Sequence, residues 1–285
     1  MKTGLVLEGG AKRGIYTAGI LDVLLENNLL ADGVIGVSAG AIHGCSYASL
    51  QPGRSIRYNM KYGNDYRFMS LKSWLKSGSV VDTQFCYHEL PEKLDPFDNE
   101  AFKTSGIRFY VTCSNLETGA AEYLCCRDMF AEIDCLRASA SLPLVSQIVE
   151  VGGKKLLDGG IADSIPLRAF ESMGYDRNIV VLTRPAGYRK KPNPLAWLSA
   201  LVYRRFPKFV AAVRNRHLMY NAELEYVERA EKEGRVLVLR PSRAIKVRKM
   251  EQNLERVREM YELGRFDAEA NLEKIKAFWQ KRAAK

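Results

Sequence analysis

The chain has 285 residues, 47% of them hydrophobic, and a formal net charge of +10. That length holds one large domain or a domain with an extension, and the ordinary Gly and Pro content excludes a fibrous or largely disordered chain. No stretch approaches the roughly 20 apolar residues of a membrane span, and the six cysteines (45, 86, 113, 125, 126 and 135) show neither metal-ligand spacing nor a secreted disulfide framework.

Lys2 to Leu7 has the apolar run of a buried strand, too short for the core of a signal peptide, so the expectation is a cytoplasmic protein with reduced thiols. Gly9-Gly10-Ala11-Lys12-Arg13-Gly14 follows as a loop and Ile15 to Asn27 as a mostly apolar helix. The backbone N–H groups of such a loop can converge on an anion at the helix N-terminus. A dinucleotide fingerprint would want an acidic residue at the end of the second strand, and a phosphate loop would need Gly-Lys-Ser/Thr; neither is present. An oxyanion hole fits if the first two strands are parallel neighbours, which sets Gly10 and Ala11 facing Ser38. Arg13 either holds this loop by hydrogen bonding or is a solvated helix-start residue.

The second apolar run, Val34-Ile35, enters Gly36-Val37-Ser38-Ala39-Gly40, and a helical pattern continues to about Leu50, where Pro52-Gly53 breaks it. A strand entering a helix through G-x-S-x-G is the sequence form of a nucleophile elbow, in which Ser38 sits on a strained turn. Side chains at Gly36 or Gly40 would then meet neighbouring backbone. A plain small-residue turn shares the same letters. Residues 54–105 read as one or two short helices and then an irregular stretch around Pro91 to Asn99.

Ile107 to Cys113 alternates as a strand and pairs with Ala120 to Leu124 across Glu117-Thr118-Gly119; Met129 to Ser139 reads as helix. Leu144 to Val149 and Lys154 to Leu157 read as a hairpin through Gly152-Gly153, and Asp158-Gly159-Gly160 closes its second strand. A carboxylate there can enter a cleft and take a serine proton if burial raises its pKa; a turn aspartate is the other reading. Pro166 to Met173 reads as helix, Asn178 to Thr183 and Arg235 to Leu239 as strands, with a helix from about Val210 to Glu233 between them. The tail shows two helical patterns separated by Gly264, the first through Met250, Leu254, Val257 and Tyr261, the second through Phe266, Leu272, Ile275 and Trp279. Strands alternating with helices predict an α/β fold with a mainly parallel sheet.

The three histidines do not supply a triad. His43 follows the elbow on its own helix, His88 lies in the irregular stretch, and His217 sits in a basic helical segment. From Arg177 to Ala222 there is no acidic residue and there are ten basic ones, equal to the whole net charge of +10. Interleaved with them are Tyr188, Trp197, Leu198, Leu201, Val202, Tyr203, Phe206, Phe209 and Val210, a composition that suits an anionic bilayer surface or, with the rings turned inward, a solvated cationic face. Nucleic acid as a partner rests on charge alone, with no recognisable motif.

Taken in order, Gly9-Gly10-Ala11-Lys12-Arg13-Gly14, Gly36-Val37-Ser38-Ala39-Gly40 and Asp158-Gly159-Gly160 resemble the signature of the patatin-like phospholipases, as does Arg137-Ala138-Ser139-Ala140-Ser141-Leu142-Pro143 ahead of the aspartate strand. The resemblance runs from residue 5 to about 185. It implies a three-layer α/β fold with a catalytic core over 1–185, followed by a basic segment, one further strand and C-terminal helices packed on the core over 186–285. It implies a Ser38–Asp158 dyad in place of a triad, an oxyanion loop over residues 9–14, hydrolysis of acyl esters of lipids, and no metal or organic cofactor. The family's third loop glycine is here Ala11, strained if its φ is positive. The alternative is a catalytically silent lipid-binding or regulatory protein with the same fold.

Overall fold

The computed structural model describes residues 1–280. β1 (Lys2–Leu7) leads through a 3-10 turn, Ala11–Gly14, into α1 (Ile15–Glu26), and β2 (Gly33–Val37) leads into α2 (Ala39–Ala48). α3 (Arg54–Tyr62), α4 (Leu71–Ser77), a π-helical segment at Phe85–Leu94 and α5 (Asn99–Thr104) precede the pair β3 (Arg108–Asn115) and β4 (Ala121–Cys126). α6 (Ile133–Ala140) is followed by the hairpin β5 (Val149–Val151) and β6 (Lys154–Asp158), then by α7 (Leu167–Ser172) and β7 (Tyr175–Val181). The remainder is α8 (Ala196–Val202), α9 (Pro207–Lys232), β8 (Val236–Leu239), α10 (Leu254–Ala270) and α11 (Leu272–Gln280).

The eight strands of the described residues form one sheet, in which hydrogen-bonded neighbours run β5-β6-β3-β2-β1-β7-β8 and β4 also pairs with β3. β3, β2, β1, β7 and β8 are mutually parallel; β4 and β6 run antiparallel to β3, and β5 antiparallel to β6. Alternation along the central strands divides the core by face. Leu5, Leu7, Val34, Ile179 and Val181 pack with residues of α1, α2, α6 and α10, whereas Val6, Ile35 and Val180 pack with α7 and α9. Both faces are therefore covered, as parallel strands require, and the architecture is a three-layer α/β fold.

The C-terminal helices are tied to the first helix. Tyr261 donates to Asp22 at 2.8 Å, Tyr16 donates to Asp267 at 2.9 Å, and Arg265 forks onto Glu26 at 2.8 Å. The two backbones approach so closely that a Cβ on Gly19 would lie 2.2 Å from the Tyr261 carbonyl oxygen, and one on Gly264 would lie 2.1 Å from that of Tyr16. Gly264 is thus a contact point inside α10 and not the predicted break, which falls at Asn271.

Other boundaries move for local reasons. The helix expected from Met129 begins at Ile133, because Asp128 accepts the N–H groups of Phe130 and Ala131 and Glu132 those of Arg127 and Asp128, holding 127–132 as a capped turn. The strand expected from Leu144 starts only at Val149: Leu144 has φ +73° and donates its N–H to the Tyr203 hydroxyl, while the Val145 carbonyl accepts from Val80. The stretch expected to be irregular around Pro91 is the π-helical segment and then α5.

Candidate active site

Ser38 lies between β2 and α2 with φ 54° and ψ −121°, a strained conformation for a residue with a side chain. What forces it is crowding. A Cβ on Gly36 would sit 2.5 Å from the Ala41 Cα, and one on Gly40 would sit 2.4 Å from the Leu7 carbonyl oxygen, so the strand-to-helix turn closes only with glycine on both sides. The Ser38 N–H donates to the Ser139 hydroxyl at 2.8 Å, and that hydroxyl donates to the Thr112 carbonyl at 2.6 Å. Ser139, on α6, thereby fastens the elbow to β3. Nothing in its own sequence context gives it that role.

Asp158 reaches the same place from the opposite direction. Thr112 of β3 is registered with Val37 of β2 and with Tyr123 of β4; Cys113 is registered with Asp158 of β6 and with Glu122 of β4. β4 therefore takes one edge of β3, and β2 and β6 share the other, running toward each other and ending beside consecutive β3 residues. The Asp158 side chain is buried; one oxygen accepts the Gly160 N–H at 2.8 Å, and the other is buried without a well-aligned partner. Burial raises its pKa, opposed by the positive charge of Arg216, by the neighbouring Ser38 hydroxyl, by the Gly160 N–H and by Lys249. Its backbone is held by Ser114, whose hydroxyl donates to the Asp158 carbonyl at 2.8 Å, and by the Ser141 carbonyl, which accepts the Asp158 N–H at 2.8 Å. At Gly160 the carbonyl accepts from Ser164 and from the Arg216 Nε of α9.

β1 and β2 are parallel neighbours, so the loop after β1 lies against the elbow; a Cβ on Gly9 would be 3.3 Å from that of Ser38. Among the described residues the N–H groups of Gly9 and Gly10 donate no hydrogen bond within the chain. Ala11 has φ +48°, the positive value that a glycine would adopt freely. The Lys12 and Arg13 side chains leave the loop in different ways. Lys12 is buried, its Nζ 3.1 Å from Asn59 Oδ1 and over the Phe68 ring, and burial pushes its pKa down to about 8. Arg13 is half-buried with its Nε unpartnered, so it neither holds the loop by a hydrogen bond nor stands free in solvent. Gly14 packs on the elbow helix, where a Cβ would meet that of Ala39 at 2.6 Å.

Ser38 and Ala11 border a mainly apolar cavity of about 150 Å³, lined also by Ile15, Tyr58, Phe97, Met129, Leu136 and Leu142 among others. The π-helical segment contributes Tyr87, Leu90 and Pro91 to its wall. His43 lines it too, but its Nδ1 is engaged with the Ser55 hydroxyl at 3.0 Å, and burial pushes its pKa down to about 3, with the Lys12 charge adding to the effect. His88 faces Glu92 at 3.4 Å and His217 faces the Arg214 carbonyl at 3.1 Å, so neither joins Ser38 or Asp158.

The basic segment divides. Tyr203, Phe209 and Val210 are buried in a core of their own with Leu157 and Ile161, whereas Leu195, Trp197, Leu201 and Val202 stand exposed with Arg204, Arg205 and Lys208. α4 exposes Leu71 and Leu75, and Phe68 and Met69, just before it in the chain, line the cavity. No helix of the described residues is long and apolar enough to cross a membrane.

A family model described as patatin-like phospholipase matches residues 5–171, and a second, described as a domain of unknown function (DUF6363), matches residues 206–280. The chain is 26% identical over 278 residues to the uncharacterized protein YjjU of Escherichia coli (strain K12), covering 93% of this chain and 75% of that one. It is 26% identical over 257 residues to lysophospholipase NTE1 of Phaeosphaeria nodorum and 27% over 177 residues to lysophospholipase NTE1 of Saccharomyces cerevisiae. These matches cover 84% and 60% of this chain but only 16% and 10% of those lysophospholipases. Among solved structures, VipD from Legionella pneumophila aligns with a TM-score of 0.45 at 13% identity, over 96% of this chain and 67% of that one.

Proposed function

This chain belongs to the patatin-like phospholipase family, and from that premise we propose that it is a serine hydrolase of lipid acyl esters in which Ser38 is the nucleophile and Asp158 the base. The observation that supports this most is the meeting of β2 and β6 along one edge of β3, which sets a strained serine beside a buried carboxylate. Ser38 Oγ attacks the acyl carbonyl carbon while Asp158 accepts its proton, and the unpaired N–H groups of Gly9 and Gly10, with that of Ala11, stabilise the oxyanion. Collapse expels the alcohol, which takes the proton back from Asp158, and water then releases the acid by the same route. The raised pKa of Asp158 makes the carboxylate a better base than an exposed aspartate. The acyl chain occupies the apolar cavity beside Ser38. In the same reading the exposed apolar residues of α8 with Arg204, Arg205 and Lys208 dock the protein on an anionic bilayer, from which substrate is drawn.

Labelling by a fluorophosphonate probe tests the nucleophile: the wild-type chain labels, and Ser38→Ala does not. Folded wild-type protein that fails to label and leaves lysophospholipids, phospholipids and neutral esters intact would return the chain to a silent lipid-binding role.

A further inference from the structure

Arg13, Arg184, Lys190 and Arg216 come from the oxyanion loop, the stretch after β7 and α9, and all four are half-buried. Arg189 in the same stretch pairs with Glu228 at 2.9 Å; among the described residues none of the four forms an ion pair. They are nevertheless held in place. The Arg184 guanidinium lies 4.5 Å from the centre of the Tyr188 ring, Tyr188 meets Tyr220 edge-on at 6.0 Å, and Lys190 Nζ lies 4.3 Å over Tyr220. The Tyr220 hydroxyl donates to Glu8 at 2.6 Å, and the other Glu8 oxygen accepts the N–H and hydroxyl of Thr183. Arg216, one turn before Tyr220, donates to the Gly160 carbonyl. Arg13 presents a buried Nε with no partner.

Gathering like charges in a partly buried space is unfavourable, and the groups register it. Burial pushes Lys190 down to about 8, with Arg216, Arg13 and Arg184 contributing; burial and then Arg184 lower Arg13. Of the two carboxylates that act on the group, Glu8 is hydrogen-bonded to Tyr220 and Thr183, and Asp158 belongs to the reaction site. Glu8 is one negative charge against four cations, and among the described residues none of the four is ion-paired.

We propose that Arg13, Arg184, Lys190 and Arg216, with the exposed Lys249 at the rim, form a subsite for the phosphate of a lipid headgroup. None of the five lines the apolar cavity, whereas Arg216 and Lys249 both act on Asp158. A substrate with its acyl chain in the cavity and its ester at Ser38 thus meets the cations on the Asp158 side. Guanidinium forks and an ammonium suit a phosphate, which offers several oxygens. Most of the subsite lies beyond residue 171, so the C-terminal part of the chain takes part in choosing substrate. The lipid as the source of the phosphate rests on the proposed hydrolase; occupancy of the subsite does not.

Binding to Ser38→Ala protein, which cannot turn substrate over, separates the two. By calorimetry below the micelle concentration, decyl phosphate should bind at least about tenfold more tightly than decyl maltoside, as hydrogen bonds to charged groups lead one to expect. Arg184→Gln with Lys190→Gln should remove most of that preference, and Lys249→Gln, at an exposed position, should reduce it without touching the fold. Equal binding of the two amphiphiles, or a preference that survives all three substitutions, overturns the subsite. Inorganic phosphate binding as tightly as decyl phosphate overturns the headgroup assignment in favour of a free-anion site.

Discussion

Ser38 and Ala11 both carry a side chain at positive φ, and in the proposed mechanism only the serine has a chemical reason to do so. Ala11→Gly should stabilise the protein by about 0.5–1 kcal/mol, after the greater freedom of glycine in the unfolded chain is set against the relief of strain. A melting temperature that does not rise would show Ala11 to be comfortable where it is. Asp158→Asn carries a double signature. In the proposed mechanism activity should be lost, because the amide cannot accept the proton, while stability at neutral pH should increase, because burial raises the pKa of Asp158 and so disfavours its charged form. The sign follows from linkage: with the folded pKa above the unfolded one, wild-type Asp158 ceases to be a burden as pH falls through the folded value, so the melting difference shrinks in acid. On the proposed mechanism, wild-type turnover should decline over that same interval as Asp158 is protonated. A melting difference independent of pH contradicts the burial account. Ser38 and Asp158 stand out in the sequence as candidates because glycines flank them in ordered motifs. Ser114, Ser139 and Arg216 do not, since each acts only once β3 and α9 have been brought to the elbow.

Among the elements, α1 and α10 depend most openly on the absence of a side chain. Gly264→Ala should lower stability by about 1–3 kcal/mol, because the added methyl meets the Tyr16 carbonyl and the helices must part. A melting temperature within error of wild type would mean that α10 shifts freely on α1. This helix also shows where sequence periodicity misleads: a glycine between two apolar patterns looks like a break, and its use as a contact point is visible only against Gly19. The central strands were legible to within a few residues, since β1 and β2 are buried and carry short apolar runs; β7 begins at Tyr175, ahead of the apolar run expected from Asn178 to Thr183, and β5 begins five residues after Leu144. The π-helical segment was not, as its wider winding and internal Pro91 erase the helical period.

On the scale of the whole molecule, charge and apolar exposure are both unevenly placed. The protein should sediment with anionic vesicles at low salt and be released at high salt, and replacing Arg204, Arg205 and Lys208 by Gln should weaken partitioning by about 3 kcal/mol. Binding indifferent to salt and to these substitutions would leave them as a solvated face. The convergence of β2 and β6 has a consequence of another kind. The chain separates Ser38 from Asp158 by more than a hundred residues, yet their spacing is metered by one peptide unit of β3, between Thr112 and Cys113. β3 is the ruler of the site. Insertions in 60–84 or 116–120 change lengths that the ruler never measures, whereas one residue added within 109–114 changes the gauge itself and turns the following side chains to the opposite face of the sheet.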